Sequence, residues 1–237
     1  MKNARIDLIE NNLTRVREAI EKSAVTSGRA PQSAKLIAVT KGLPLSDLEI
    51  ALSYGQEAFG ENRVQELTAK MEEAKERELA CEWHMIGTLQ TNKARFIVGE
   101  VDLIHSVDRV RLLRVIEQNA SQRNIVQKVL LQVNVSGETS KHGFRPEKLG
   151  DLLDLQQEFA HIRIIGLMTM APHFADPEQA RPVFSRLREL RDDLAVAHNS
   201  PQLTELSMGM TNDYIQAVEE GATLVRVGSA IFNGQCR

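Results

Sequence analysis

The chain has 237 residues, 42% hydrophobic and 26% charged, which suits one large soluble α/β domain or two small ones. Aromatic residues make up only 4%, which argues against a surface that stacks single-stranded bases. The net charge of −3 supplies no bulk attraction toward phosphate backbones or anionic lipid, so neither nucleic acid nor membrane is expected as a partner.

The amino end, MKNARIDLIENN, lacks the apolar core of a signal peptide. It reads instead as a helix, because Ile6, Ile9, Leu13, Val16 and Ile20 recur at steps of three and four. After the loop SGRAPQS the chain alternates. Strands are predicted at KLIAVT, EAFG, WHMIG, DLIHSV, KVLLQVNV, IRIIGLMT, LTELSM and ATLVRVG, with helical stretches between them. One stretch aligns Val64, Leu67, Met71 and Ala74 on a face, and another aligns Ala180, Val183, Leu187, Leu190 and Leu194. Ser46 with Glu49 fits a capping box, and Asp176-Pro177 fits an N-cap followed by proline at N1. No run of about 18 apolar residues occurs, so no membrane span is expected. Cys81 and Cys236 form no C-x-x-C pair, so a reducing cytosol is the simpler setting and no disulfide framework or zinc site is expected.

Alternating strand and helix implies parallel strands with crossover helices. Eight units in this length match a closed (β/α)8 TIM barrel, with the amino-terminal helix standing in for the one after strand eight; a doubly wound open sheet is the rival. With no linker in view, residues 1–237 read as a single domain.

Polar residues and glycines gather at the carboxyl ends of the strands, where barrel active sites lie: Lys41, Asn62, His84 and Gly87, Ser106, Asn134, GLMTM, SMGMTND and RVGSA. Alternation puts Ile37, Val39 and Lys41 on one face, so an interior Ile37 and Val39 set Lys41 at the mouth; the plainer alternative is a lysine snorkelling to solvent. Ser207 and Gly209 after strand seven, and Gly228 and Ser229 after strand eight, suit a phosphate, helped by a helix start near Thr211. Arg226 shares parity with Leu224 and Gly228 and points inward. It either donates to a ligand or pairs with a carboxylate such as Glu205. A lysine in an apolar, cationic setting, a phosphate cradle and an arginine together suit a phosphorylated aldehyde held as an imine. Pyridoxal 5′-phosphate and the substrate of a Schiff-base aldolase both qualify.

The stretches AVTK, FGENRVQE, WHMIGTLQTNK, IHSVD, VNVSGETSKHGF, GLMTMAP, LSMGMTNDY and VRVGSAIF span about residues 35 to 233. In these the chain resembles the YggS/PROSC group, the pyridoxal phosphate homeostasis proteins. The resemblance implies a barrel like the amino-terminal domain of alanine racemase (fold type III of the pyridoxal phosphate enzymes), usually monomeric. It implies pyridoxal 5′-phosphate held as an imine on Lys41. Ser207, Gly209, Met210, Gly228 and Ser229 would hold the phosphate, Arg226 would meet the pyridine nitrogen, and Asn62, His84 and Met168 would line the ring pocket.

Two functions follow. One is a non-catalytic carrier that buffers the cofactor or delivers it to apo-enzymes that use it. The other is a small pyridoxal phosphate enzyme such as an amino-acid racemase. Arginine cannot leave a proton on the ring nitrogen, which weakens carbanion chemistry. The chain also ends soon after strand eight, which favours a carrier with an open mouth. An acid/base from a loop, with His142, His173 and Tyr214 as candidates, would favour the enzyme.

Overall fold

A computed structural model describes residues 2–137 and 142–233. Helix α1 (Lys2–Thr26) precedes strand β1 (Lys35–Val39). The chain continues through α2 (Leu45–Ser53), β2 (Ala58–Glu61), α3 (Val64–Glu76) and β3 (Glu82–Met85). A 3-10 turn (Thr91–Phe96) leads to β4 (Leu103–Val107), α4 (Val110–Gln122) and β5 (Gln127–Gln132). The rest comprises α5 (Leu149–Asp154), β6 (Ile162–Met168), α6 (Arg181–Ala197), β7 (Glu205–Met210), α7 (Tyr214–Glu219), β8 (Leu224–Val227) and α8 (Ser229–Phe232). The strands pair in parallel and in chain order, and β8 returns to β1 with Lys35 opposite Leu224. The sheet is therefore closed, and the open-sheet alternative is excluded.

Two apolar layers follow from strand alternation. Ile37, Ala58, Leu103, Leu130, Met168 and Leu224 fill the barrel interior. Their outward neighbours, such as Leu36, Ala38, Val225 and Val227, join the larger layer beneath the helices. Full burial of such a side chain contributes about 1.5–3 kcal/mol. Ile9, Leu13, Val16 and Ile20 of α1 are buried, and α1 packs on α2, α7 and α8. It therefore covers the place beside β8 where α8 is only one turn long. Asn12 Nδ2 donates to the Ile231 carbonyl at 2.9 Å and ties the two helices together.

The cap at Asp176 is present, with its carboxylate accepting from Glu178 N–H at 3.0 Å. The cap at Ser46 is not. Pro44 occupies the N-cap position and Leu45 opens α2, while Glu49 reaches Arg77 at 2.9 Å. Cys81 is a free thiol whose pKa burial pushes up to about 11; Cys236 lies outside the described residues. Among the described residues no helix is long and apolar enough to cross a membrane.

Candidate functional site

A cavity of about 750 Å3 opens at the carboxyl ends of the strands. That volume lies within the range of small-molecule sites. Lys41 enters it from the end of β1, where Ile37 is interior and Val39 lines the wall, as alternation predicts. Among the described residues nothing hydrogen-bonds or ion-pairs with the Lys41 ammonium. The side chain is exposed at the mouth of a cavity whose wall includes Val39, Leu43 and Ile86.

Beneath Lys41 a buried ion pair fixes the strand ends. Lys70 on α3 pairs with Glu61 at the end of β2 and donates to the Thr40 carbonyl at 2.5 Å. Thr40 Oγ1 donates to the same Glu61 oxygen at 2.7 Å. The residues that follow each strand, Lys41 and Asn62, are thereby held side by side. Asn62 lines the cavity, and its buried side-chain oxygen has no partner.

The floor is Arg226, only 4% exposed. Its Nη2 donates to the Thr169 carbonyl at 3.0 Å and its Nη1 donates to Ser207 Oγ. Burial lowers its pKa to about 10, against which the Asp213 charge acts. Among the described residues no carboxylate lies within ion-pair distance of it. The pairing with Glu205 is not formed, because Glu205 accepts from Thr223 Oγ1 at 2.6 Å and Thr204 Oγ1 at 3.2 Å. A guanidinium carries five N–H donors, so this one keeps donors for a ligand.

Ser229 Oγ donates to Thr211 Oγ1 at 3.2 Å, which brings hydroxyls from the ends of β7 and β8 together on the wall. A Cβ on Gly228 would lie 2.9 Å from the Val39 carbonyl oxygen, so only glycine lets the backbone close up there. The helix expected to start near Thr211 starts at Tyr214, and both α7 and α8 are short. Asp213 turns the chain instead, accepting from Met210 N–H at 2.6 Å, and burial raises its pKa.

Of the ten predicted site residues, Lys41, Asn62, Met210, Arg226, Gly228 and Ser229 line this one cavity. His84, Met168, Ser207 and Gly209 do not. His84 and Met168 are buried within the barrel and are not part of the cavity wall. Ser207 is fully buried, and its hydroxyl lies between Arg226 and His105 Nδ1, 2.8 Å away. It supports the arginine. Gly209 adopts a φ of +87° at an irregularity where Ser207 pairs with Leu224 and Met210 with Arg226. That extra residue breaks alternation and turns Met210 into the cavity.

Sequence reasoning missed Thr211 as a wall residue, and missed the wall formed by the β6–α6 loop, including Pro172 and Phe174. Of the three acid/base candidates, His173 lines the cavity and lies 3.3 Å from Asn212 Nδ2. His142 lies off the wall, 3.7 Å from an Asp108 oxygen, and Tyr214 is buried off the wall.

The family model described as "Alanine racemase, N-terminal domain" matches residues 6–235. The pyridoxal phosphate homeostasis protein of Aquifex aeolicus is 45% identical over 220 residues, covering 93% of this chain and 95% of the relative. PipY of Synechococcus elongatus, solved with PLP bound, is 35% identical with a TM-score of 0.81, covering 94% of this chain and 99% of that one. Alanine racemase of Clostridium difficile is 13% identical with a TM-score of 0.72, covering 95% of this chain and 55% of that one, a likeness of fold alone. The chain therefore belongs to the alanine racemase N-terminal domain family, among the relatives named pyridoxal phosphate homeostasis proteins.

Proposed function

We propose that this chain is a single pyridoxal 5′-phosphate-binding barrel that buffers and carries the cofactor in the cytosol as a monomer, passing it to apo-enzymes that use it, without turning over a substrate. The observation that carries the reading is one cavity bearing both an unpartnered amine, Lys41, and a buried guanidinium without a carboxylate partner, Arg226. When bound, the cofactor supplies an aldehyde that bonds reversibly to an amine, and Lys41 is the amine this chain offers.

The residues present fit such a ligand. Arg226 has donors to spare for a ring nitrogen. Thr211, Ser229 and the backbone at Gly228 form a polar cradle for an anion, and Met210 lies beside it. Asn62 brings an unsatisfied buried oxygen that a ligand or water donor would satisfy. Ser207 and Gly209 act from behind the wall, one on Arg226 and one on the strand bend. His84 lies behind the wall as well, and Met168 packs the interior beneath it.

Carriage is favoured over catalysis by Arg226 itself. A guanidinium donates to a ring nitrogen and leaves no proton there, which makes the ring a poor electron sink. The names of the relatives support the same reading. A small pyridoxal phosphate enzyme is the second reading, and His173 on the wall is the observation that favours it. Incubation of cofactor-loaded protein with L- and D-amino acids in deuterated water decides between them. A carrier leaves the α-proton in place, and rapid exchange with turnover establishes the enzyme.

A further inference from the structure

A single file of hydrogen bonds crosses the barrel interior, from its amino-terminal face to the cavity floor. Lys35 at the start of β1 ion-pairs with Glu82 at the start of β3. Glu82 Oε1 lies 3.0 Å from His84 Nε2, and His84 Nδ1 lies 2.8 Å from His105 Nε2. His105 Nδ1 lies 2.8 Å from Ser207 Oγ, which accepts from Arg226 Nη1. His84 and His105 are 1% and 0% exposed and meet edge to face, and neither reaches the cavity wall.

The two ends give the file a direction. Arg226 can only donate. The Glu82 carboxyl is held down to about 2 by the hydrogen bonds from His84 and Lys35, so at neutral pH it only accepts. Burial first, and the Arg226 charge with it, push the His105 pKa well below its usual range, so this ring carries one proton. When each ring carries a single proton, one arrangement satisfies every contact. Ser207 Oγ–H donates to His105 Nδ1, His105 Nε2–H donates to His84 Nδ1, and His84 Nε2–H donates to Glu82.

We propose that Glu82, His84 and His105 are positioning residues for Arg226. They draw the Ser207 proton away from the guanidinium, so that Ser207 Oγ turns only lone pairs toward Nη1. With the Thr169 carbonyl on Nη2, the guanidinium is fixed from behind and its remaining donors face the cavity. The part of this that concerns a ligand rests on the pyridoxal phosphate reading, and the tautomers do not.

The test uses the full chain labelled with 15N-histidine, without added ligand, at pH 8, with single histidine variants to assign the signals. Both His84 and His105 are expected as neutral Nε2–H tautomers, and an Nδ1–H tautomer at either ring overturns the file. Glu82→Gln, at a half-exposed position, replaces the acceptor-only carboxylate with an amide that can also donate to His84 Nε2. It is expected to give mixed tautomers and to weaken pyridoxal 5′-phosphate binding by about threefold to tenfold, one hydrogen bond's worth. Wild-type tautomers together with wild-type affinity in that variant also overturn the proposal. If the wild-type chain does not bind pyridoxal 5′-phosphate, the functional reading fails while the tautomers still judge the file.

Discussion

Gly87 and Asn62 are in backbone contact where β2 and β3 leave the barrel: a Cβ on Gly87 would lie 2.2 Å from the Asn62 carbonyl oxygen. Backbone cannot yield as a flexible side chain does, so Gly87→Ala must move the loop that carries Asn62. The expected outcome is a loss of about 1–3 kcal/mol in stability together with weaker cofactor binding. Urea unfolding and a cofactor titration check both, and unchanged values in the two would show that this contact does not hold Asn62.

Arg226 is buried without an ion-pair partner, so its charge costs the free protein stability. Arg226→Met is therefore expected to leave the ligand-free melting temperature unchanged or raised. Cofactor affinity should fall by about 1.5–3 kcal/mol, the range for a hydrogen bond to a charged donor. Lower stability with unchanged affinity would make the arginine structural.

Lys70 and Glu61 form a buried pair, and Lys70 also holds the Thr40 carbonyl. Lys70→Met strands the carboxylate and is expected to destabilise the fold by about 3–5 kcal/mol in urea unfolding. It should also slow attachment of the cofactor at Lys41, the next residue after Thr40. A loss under about 1 kcal/mol, typical of a solvated pair, would contradict this.

Glu82 sets an acid limit on stability. Its carboxyl is lowered from 4.5 to about 2 by the hydrogen bonds from His84 and Lys35. A depressed carboxyl stabilises the fold fully above its unfolded value, and the contribution is lost as pH falls from about 4.5 through about 2. Glu82→Gln should be less steep than wild type in that window, as read by denaturant midpoints at each pH. Identical slopes would mean that Glu82 titrates alike in both states.

Much of this architecture follows from alternation alone. Ile37, Val39 and Lys41 keep one face because β1 is regular and buried, and Leu224, Arg226 and Gly228 do the same on β8. Parity fails where the backbone adds a residue. The irregularity between Ser207 and Met210 turns Met210 onto the wall, and no local pattern announces it. His105 escaped notice because a buried polar residue on a strand is legible only through partners that lie far away in sequence, here His84 and Ser207. The β6–α6 loop escaped because its last turn, Pro177–Ala180, packs on α6 and on α7, the latter a segment distant in sequence, and no local pattern announces such a contact. Ser46 misled because Pro44 already holds the N-cap position and Leu45 opens the helix.

The most direct test of the account is where the cofactor attaches. The full chain is incubated with pyridoxal 5′-phosphate, reduced with borohydride, digested and mapped by mass. One pyridoxyl group on Lys41, and none on that peptide in Lys41→Ala, is the expected result. A label on another lysine in preference to Lys41, or no label at all, would contradict it.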